Sequence, residues 1–205
     1  MSVITIVRKN GICAIAADSL TSLGCTKYSR PFQRKESKIY RVGDNYLGVV
    51  GYSAHGLVLE SLIERHPGYF DLRSRRHIFE ASLKIHKVLK DEYLLQTSEG
   101  GSDQPYESSQ LHFCIANPHG IFVLDSYREV SEFSKFWSIG SGGSFALGAM
   151  HAIYSDPDFD AEIIAQQGVE AAATFNLYCA QPIDSFAIAM KKSAMEAEGV
   201  DVIAS

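Results

Sequence analysis

Residues Val3-Ile4-Thr5-Ile6-Val7 form an apolar, β-branched run, and Ile12-Cys13-Ala14-Ile15-Ala16-Ala17 form a second. Between them stands Arg8-Lys9-Asn10-Gly11, and Asn-Gly between two apolar runs is a strong short-range hairpin signal because both residues accept positive φ. Neither run alternates polar with apolar, as a strand with one wet face would. The pair therefore predicts a hairpin buried on both faces, in a sheet with something packed on each side. A hydroxyl residue, Ser2, stands where the first strand begins, and Asp18-Ser19 is the polar break where the second ends.

The remaining chain supplies what could cover such a sheet. Leu20 to Glu36 is mixed, with Gly24 and Pro31, and predicts one short strand around Cys25 to Tyr28 followed by a loop. Lys38 to Val42 and Tyr46 to Gly51, joined by Gly43-Asp44-Asn45, predict a second hairpin. Gly48 and Gly51 lie in its second arm, and glycines in a strand mark a close approach of backbone or ligand, so both are candidates for the wall of a site. Ser53 is positioned to cap a helix to about Arg65, and Ile78, Ala81, Ile85, Val88 and Leu89 recur at helical spacing over Arg76 to Leu95. Gln96 to Gln110, rich in Ser, Gly and acidic residues, reads as a mobile surface loop.

A third hairpin follows over Leu111 to Asp125, turning at Asn117-Pro118-His119-Gly120. Phe136 to Ile139 predicts a strand leading into Gly140-Ser141-Gly142-Gly143. Two helices are expected, over Ser144 to Tyr154 and Ala161 to Tyr178, the second with Ile164, Gly168, Ala171, Phe175 and Tyr178 on one stripe. A last strand covers Ser185 to Met190, and the tail beyond Ala194 is expected to fray. Strands, a helix pair, strands, a helix pair and a strand give an α+β fold, and a four-layer αββα sandwich accommodates that order. One domain over residues 1–205 is expected, since a chain of this length can bury a sizeable core.

Composition excludes several classes. A net charge of −5 with no long basic run argues against a nucleic-acid partner. The four cysteines, Cys13, Cys25, Cys114 and Cys179, show no CxxC or Cys/His cluster, so neither a metal nor a disulfide framework is expected. No signal-like or membrane-spanning run opens or interrupts the chain, which predicts a soluble cytoplasmic protein with no membrane partner. The Gly140 to Gly143 stretch lacks the residues of a phosphate loop, a dinucleotide fingerprint or a nucleophile elbow, and no HExxH is present. No cofactor is expected.

What remains is Ser2, Asp18 at the end of the second strand and Lys38 at the start of a later one. Here the stretches Ser2 to Gly11, Ala14 to Ser19, Ser37-Lys38-Ile39 and Ile139 to Gly143 resemble the corresponding stretches of proteasome β-type peptidases, with the bacterial HslV-like branch the nearest likeness. The resemblance implies an N-terminal-nucleophile hydrolase whose α-amine is freed when Met1 is removed. The hydroxyl of Ser2 would attack a peptide bond, its proton taken by the amine of the same residue, whose reference pKa is about 8. By the same resemblance Asp18 and Lys38 support the nucleophile, Ser141 hydrogen-bonds the terminal amine, Gly51 donates its N–H to the oxyanion, and Ser22 and Val49 line the substrate groove. Family members mostly carry Thr in place of Ser2. Where many carry an Asp near the site, Thr174 stands, with Asn176 close by. The family implies a homo-oligomeric ring, stacked as a double ring, acting on unfolded protein or peptide, with an unfolding ATPase as a further partner. Two other readings stand beside it: an N-terminal-nucleophile amidohydrolase acting on a small amide, and a catalytically silent ring subunit. The silent subunits carry an extension before the first strand, and this chain opens directly on that strand.

Overall fold

The computed structural model describes residues 2–23, 26–28, 37–98 and 104–192. Strands β1 (Val3–Lys9) and β2 (Ile12–Asp18) pair antiparallel, with Ile4 opposite Ala17 and Lys9 opposite Ile12. Asn10 and Gly11 take φ of 51° and 74°, the two positive values that a type I′ turn needs. Both strands are buried on both faces along nearly their whole length, as the unbroken apolar pattern requires.

Short strands β3 (Thr21–Leu23) and β4 (Thr26–Tyr28) form a ribbon of their own. Next come β5 (Ile39–Val42) and β6 (Asn45–Val50), then helices α1 (Ala54–Arg65) and α2 (Arg75–Asp91). Strands β7 (His112–Asn117), β8 (Gly120–Leu124), β9 (Val130–Phe133) and β10 (Phe136–Gly140) precede helices α3 (Gly143–Ile153) and α4 (Ala161–Phe175), and β11 (Ile183–Ala189) closes the described chain. One sheet has the order β10-β1-β2-β11 and the other β5-β6-β7-β8-β9.

Three apolar clusters hold these layers together. Helices α3 and α4 bury Met150, Ile164, Ala165 and Val169 against Val3, Val7, Ala14 and Ala16 of the first sheet. Helices α1 and α2 bury Leu59, Leu62, Ile78 and Ile85 against Leu47, Phe113, Ile115 and Phe122 of the second. Between the sheets, Ile4, Ile6 and Ile15 meet Ile39, Cys114, Ala116 and Ile121. The layers therefore run α, β, β, α. Gly48 belongs to this middle layer and not to the wall of a site. A Cβ on it would stand 2.7 Å from the Cγ2 of Ile4, so the bare glycine lets β6 close on β1. Gly48→Val is expected to be strongly destabilising, on the order of 3 kcal/mol, by overpacking a core that cannot expand, and a chemical-denaturation curve checks it.

The sequence pattern misses β3 and β9. The Val130-Ser131-Glu132-Phe133 segment has only four residues and lies at a sheet edge with Glu132 exposed, so it lacks the long apolar run of the inner strands. Ser53 stands at the N-cap of α1 but in helical dihedrals, without a side-chain cap bond. Helix α2 ends at Asp91, short of Leu95, and Leu94 takes a φ of 55°. In α4 the buried stripe is Ile164, Ala165, Gly168, Val169 and Ala172, whereas Phe175 is 70% exposed and Tyr178 lies beyond the helix. The tail past residue 192 and the loop between residues 29 and 36 lie outside the described residues.

The expected mobile loop is tethered at its described ends. Ser108 and Ser109 are buried, the Ser108 N–H donates to Thr97 O at 2.8 Å, and the Ser109 N–H donates to Ser126 O at 2.7 Å. Glu107 accepts from Lys90 at 2.5 Å and lies 3.2 Å from His86 Nε2, both on α2, and these hydrogen bonds pull its carboxyl from 4.5 down to about 2. Because the folded pKa is depressed, this latch stabilises the loop above pH 4.5 and is lost as pH falls toward 2. Hydrogen exchange over residues 104–110 is expected to rise across that window, and Glu107→Gln is expected to abolish the rise.

Candidate active site

The β1–β2 register, with Ile4 facing Ala17, brings Val3 level with Asp18 and leaves Ser2 one residue further out at the open end of the strand pair. Asp18 is 1% exposed, and a carboxylate so deeply buried needs every lone pair satisfied. Its Oδ1 accepts from the Val3 N–H at 3.0 Å and from Lys38 Nζ at 2.7 Å. Its Oδ2 accepts from the Leu20 N–H at 3.1 Å and the Ala180 N–H at 3.3 Å. Asp18 thus joins the start of β1, the residue before β5 and the approach to β11 at one point.

Lys38 comes from the other sheet. It precedes β5, and its carbonyl accepts from the Val49 N–H at 3.1 Å, so Lys38 and the end of β6 are neighbours across one hairpin. Gly51 follows β6 with a φ of +133°, a conformation that side chains disfavour. The close approach of β6 to β1 through Gly48 and Ile4 sets this hairpin end over Ser2.

Ser2 is itself only 6% exposed and lies where two clefts meet. One cleft, of about 310 Å³, is lined by Ser22, Lys38, Val49, Gly51 and Tyr52 among others. The second is lined by Val50, Gly51, Tyr52, Gly140 and Ser141. Ser2 and Gly51 belong to both. All seven residues singled out in the sequence, Ser2, Ser22, Asp18, Lys38, Val49, Gly51 and Ser141, therefore gather around one place, with Asp18 behind the surface and the rest on the clefts.

The β1–β10 pairing, with Val3 opposite Gly140, brings the Gly140 to Gly142 turn against Ser2. Ser141 Oγ donates to the Ser2 carbonyl at 3.4 Å and the Gly142 N–H donates to the same oxygen at 3.3 Å. The hydrogen bond of Ser141 seen here goes to that carbonyl. Gly140 has a φ of +96°, and a Cβ on it would collide with the Ser2 carbonyl, so this turn requires glycine.

Thr174 is not at the site: its hydroxyl donates to Glu170 O at 2.9 Å within α4. Asn176, the C-cap of α4, reaches it instead, donating from Nδ2 to Ser141 O at 2.8 Å while its Oδ1 accepts from the Tyr178 N–H at 2.9 Å. An amide, whose donor and acceptor ends serve two backbone groups, thus braces the turn. The resemblance points to Thr174 at this place; because the helix ends at Phe175, its C-cap Asn176 stands there instead. Cys179 is buried beside this brace, its Sγ 2.8 Å from where a Cβ on Gly142 would stand. Burial, and then the charge of Asp18, push its thiol up to about 11, and burial raises that of Cys114 further. Both are expected to resist alkylation at pH 8 until the chain unfolds, a result that mass spectrometry with and without denaturant reads directly. Cys13 is buried as well and in no disulfide, and Cys25 lies outside the described residues.

Among the described residues, no group of three His, Cys, Asp or Glu side chains could hold a metal ion, and no helix is long and apolar enough to cross a membrane. Two antiparallel sheets between helix pairs, with a hydroxyl residue at the head of an inner strand beside a buried Asp–Lys pair, define the N-terminal-nucleophile hydrolase class of fold. The chain is 40% identical to a solved structure, Thiobacillus denitrificans BPH, over 93% of this chain and 99% of that one, with a TM-score of 0.84. The same protein has been solved in complex with epoxomicin, with a TM-score of 0.83. The ATP-dependent protease subunits HslV of Petrotoga mobilis and Desulfovibrio desulfuricans are 27% and 29% identical over 84% of this chain, which spans 88% and 89% of their lengths. HslV of Trypanosoma brucei, at 20% identity and a TM-score of 0.69, shares the fold. No protein-family model matches the chain. It belongs to the HslV-like, proteasome-type peptidase family.

Proposed function

We propose that the chain is an endopeptidase whose nucleophile is the hydroxyl of Ser2, exposed with its α-amine when Met1 is removed. The observation that carries this reading is the position of Ser2 at the junction of two clefts, with Asp18 and Lys38 ion-paired at 2.7 Å behind it. Ser2 Oγ attacks the peptide carbonyl carbon and its proton passes to the terminal amine. The Gly51 N–H donates to the developing oxyanion, and such a donor is worth roughly 10²–10³ in rate. The C–N bond then breaks, the amine returns the proton to the leaving nitrogen, and an ester on Ser2 remains. Water then attacks that ester and gives its proton to the amine; the bond from the acyl carbon to Ser2 Oγ breaks, and the amine returns the proton to Oγ as the acid leaves.

Lys38 acts by charge, since a cation beside the amine favours the neutral, basic form of that amine. Asp18 acts by position, holding Lys38, the Val3 N–H and the start of β3 in one frame. Ser141 and Asn176 keep the peptide of Ser2 from rotating. Ser22 and Val49 contact substrate along the cleft that Lys38 also lines. The working form is a closed homo-oligomeric ring, stacked in pairs, that takes unfolded protein or peptide. The relatives named as ATP-dependent protease subunits favour an ATPase partner as the source of unfolded chain.

Intact mass of the purified chain, before and after incubation with epoxomicin, tests this reading together with hydrolysis of a fluorogenic peptide library. A mass lacking one methionine, a single adduct and turnover are expected. A native chain with Met1 retained, no adduct and no turnover overturns the proposal.

A further inference from the structure

The turn that carries Gly51 has little holding it from the sheet side. Its last ladder pair is Val50 opposite His112, one residue earlier. Gly51, Tyr52 and Ser53 are all exposed, Tyr52 by 74%. Two backbone bonds, from the His55 N–H to Tyr52 O at 3.0 Å and from the Gly56 N–H to Ser53 O at 3.2 Å, order residues 52 to 56 and leave Gly51 out. A glycine at positive φ has many conformations open to it, so something must select one.

The side chain beneath it is His55, in the first turn of α1. It is 8% exposed, and its Nδ1 and Cε1 stand 2.8 Å and 3.2 Å from where a Cβ on Gly51 would be. The imidazole thus occupies the space that any side chain at position 51 would fill. The ring of Tyr52 packs edge-on against it with centroids 5.7 Å apart. His55 Nδ1 is buried without a hydrogen-bond partner among the described residues. Burial, and then the charge of His112, which lies 3.3 Å from Asp125 Oδ2, push the His55 pKa down.

We propose that His55 is a positioning residue for the peptidase reaction, its imidazole forming the floor that fixes Gly51 in the conformation on which the clefts at Ser2 depend. The inference rests on the reading of Ser2 as nucleophile and Gly51 as oxyanion donor. His55 touches no reacting atom and acts through Gly51 alone, so its loss affects the transition state more than the binding of substrate. Asn at position 55 keeps a flat side chain beneath Gly51, whereas Ala removes the floor.

The test measures kcat and KM on a fluorogenic peptide that the unaltered chain cleaves, with the rate of epoxomicin modification as a second readout. His55→Ala is expected to lose about 10- to 100-fold in kcat, the scale set by misplacing a reacting geometry by an ångström or less. Its KM is expected to stay within about twofold, as for an interaction made in the transition state, and His55→Asn is expected to recover most of the lost kcat. Melting temperature and oligomer size establish that each variant is folded, and His55→Ser takes the place of His55→Ala, with the same expectation, if the latter does not assemble. A folded His55→Ala with unchanged kcat, a change confined to KM, or an Asn variant no better than Ala overturns this inference alone. An unaltered chain with neither turnover nor adduct overturns the underlying reading as well, which separates the two failures.

Discussion

Ser2→Ala is expected to lose at least about a thousandfold in peptide turnover and all epoxomicin adduct, with the melting temperature little changed. Losing a covalent nucleophile removes the acyl-enzyme route entirely and leaves only what binding and the oxyanion donor contribute. Ala keeps the Cβ, so the strand head and its backbone bonds to Ser141 and Gly142 remain in place. Other hydroxyls line the clefts, among them Ser22, Ser37 and Ser53, but none of them sits on the residue whose own amine would take the proton. A Ser2→Ala chain that still hydrolyses peptide at the normal rate would move the chemistry to one of those residues. Ser2→Thr provides the complementary result. The added methyl restricts the χ1 of the hydroxyl, and turnover at or above that of the unaltered chain is expected.

Lys38→Met is expected to cost both stability and activity, in separable amounts. Lys38 is the cation of a pair whose acid is fully inaccessible, with side-chain exposures of 15% and 0%. Removing one partner of a buried pair leaves the other charge uncompensated, at a cost of about 3–5 kcal/mol. The lower end applies here, because three backbone N–H groups still donate to Asp18. For a chain of this size each kcal/mol lowers the melting temperature by about 2–4 °C. A fall of about 6–12 °C in thermal unfolding checks the structural half. Activity at a temperature where the variant remains folded checks the other half. Turnover is expected to fall by two orders of magnitude or more there, since the charge that tunes the amine is gone. A folded, destabilised variant with normal turnover would reduce Lys38 to a strut.

The neighbours of Ser2 were legible in the chain to different extents. Asn10-Gly11 between two apolar runs predicts a tight hairpin, and a two-residue turn there leaves Ser2 and Asp18 at its open end by counting alone. By local pattern Ser141 is no more than part of a glycine-rich break after a strand; the family resemblance alone places it at Ser2, and its contact there needs β10 to pair with β1 across more than a hundred intervening residues. Asn176 was harder still. Thr174 and Asn176 are two residues apart at a helix end, and which of them faces the site depends on where α4 stops and how its last turn meets the Ser141 loop. The burial of Ser108 and Ser109 was hidden for a similar reason, because a run of small polar residues reads as loop whether or not its hydroxyls and amides find partners.

Local rules thus settle what repeats along the chain. Period, turn chemistry and apolar run length determine two doubly buried inner strands, helix pairs before and after the middle strands, and a hydroxyl at the head of the first strand. They settle these features because each depends on residues within a few positions of one another. The meeting of Lys38 with Asp18, the fall of Gly51 over Ser2 and the packing of His55 under Gly51 belong to the tertiary structure. They follow from how closely two sheets can approach, a distance set by the missing side chain of Gly48 against Ile4. No spacing in the sequence encodes that distance, because it is a sum of side-chain volumes contributed by segments far apart in the chain.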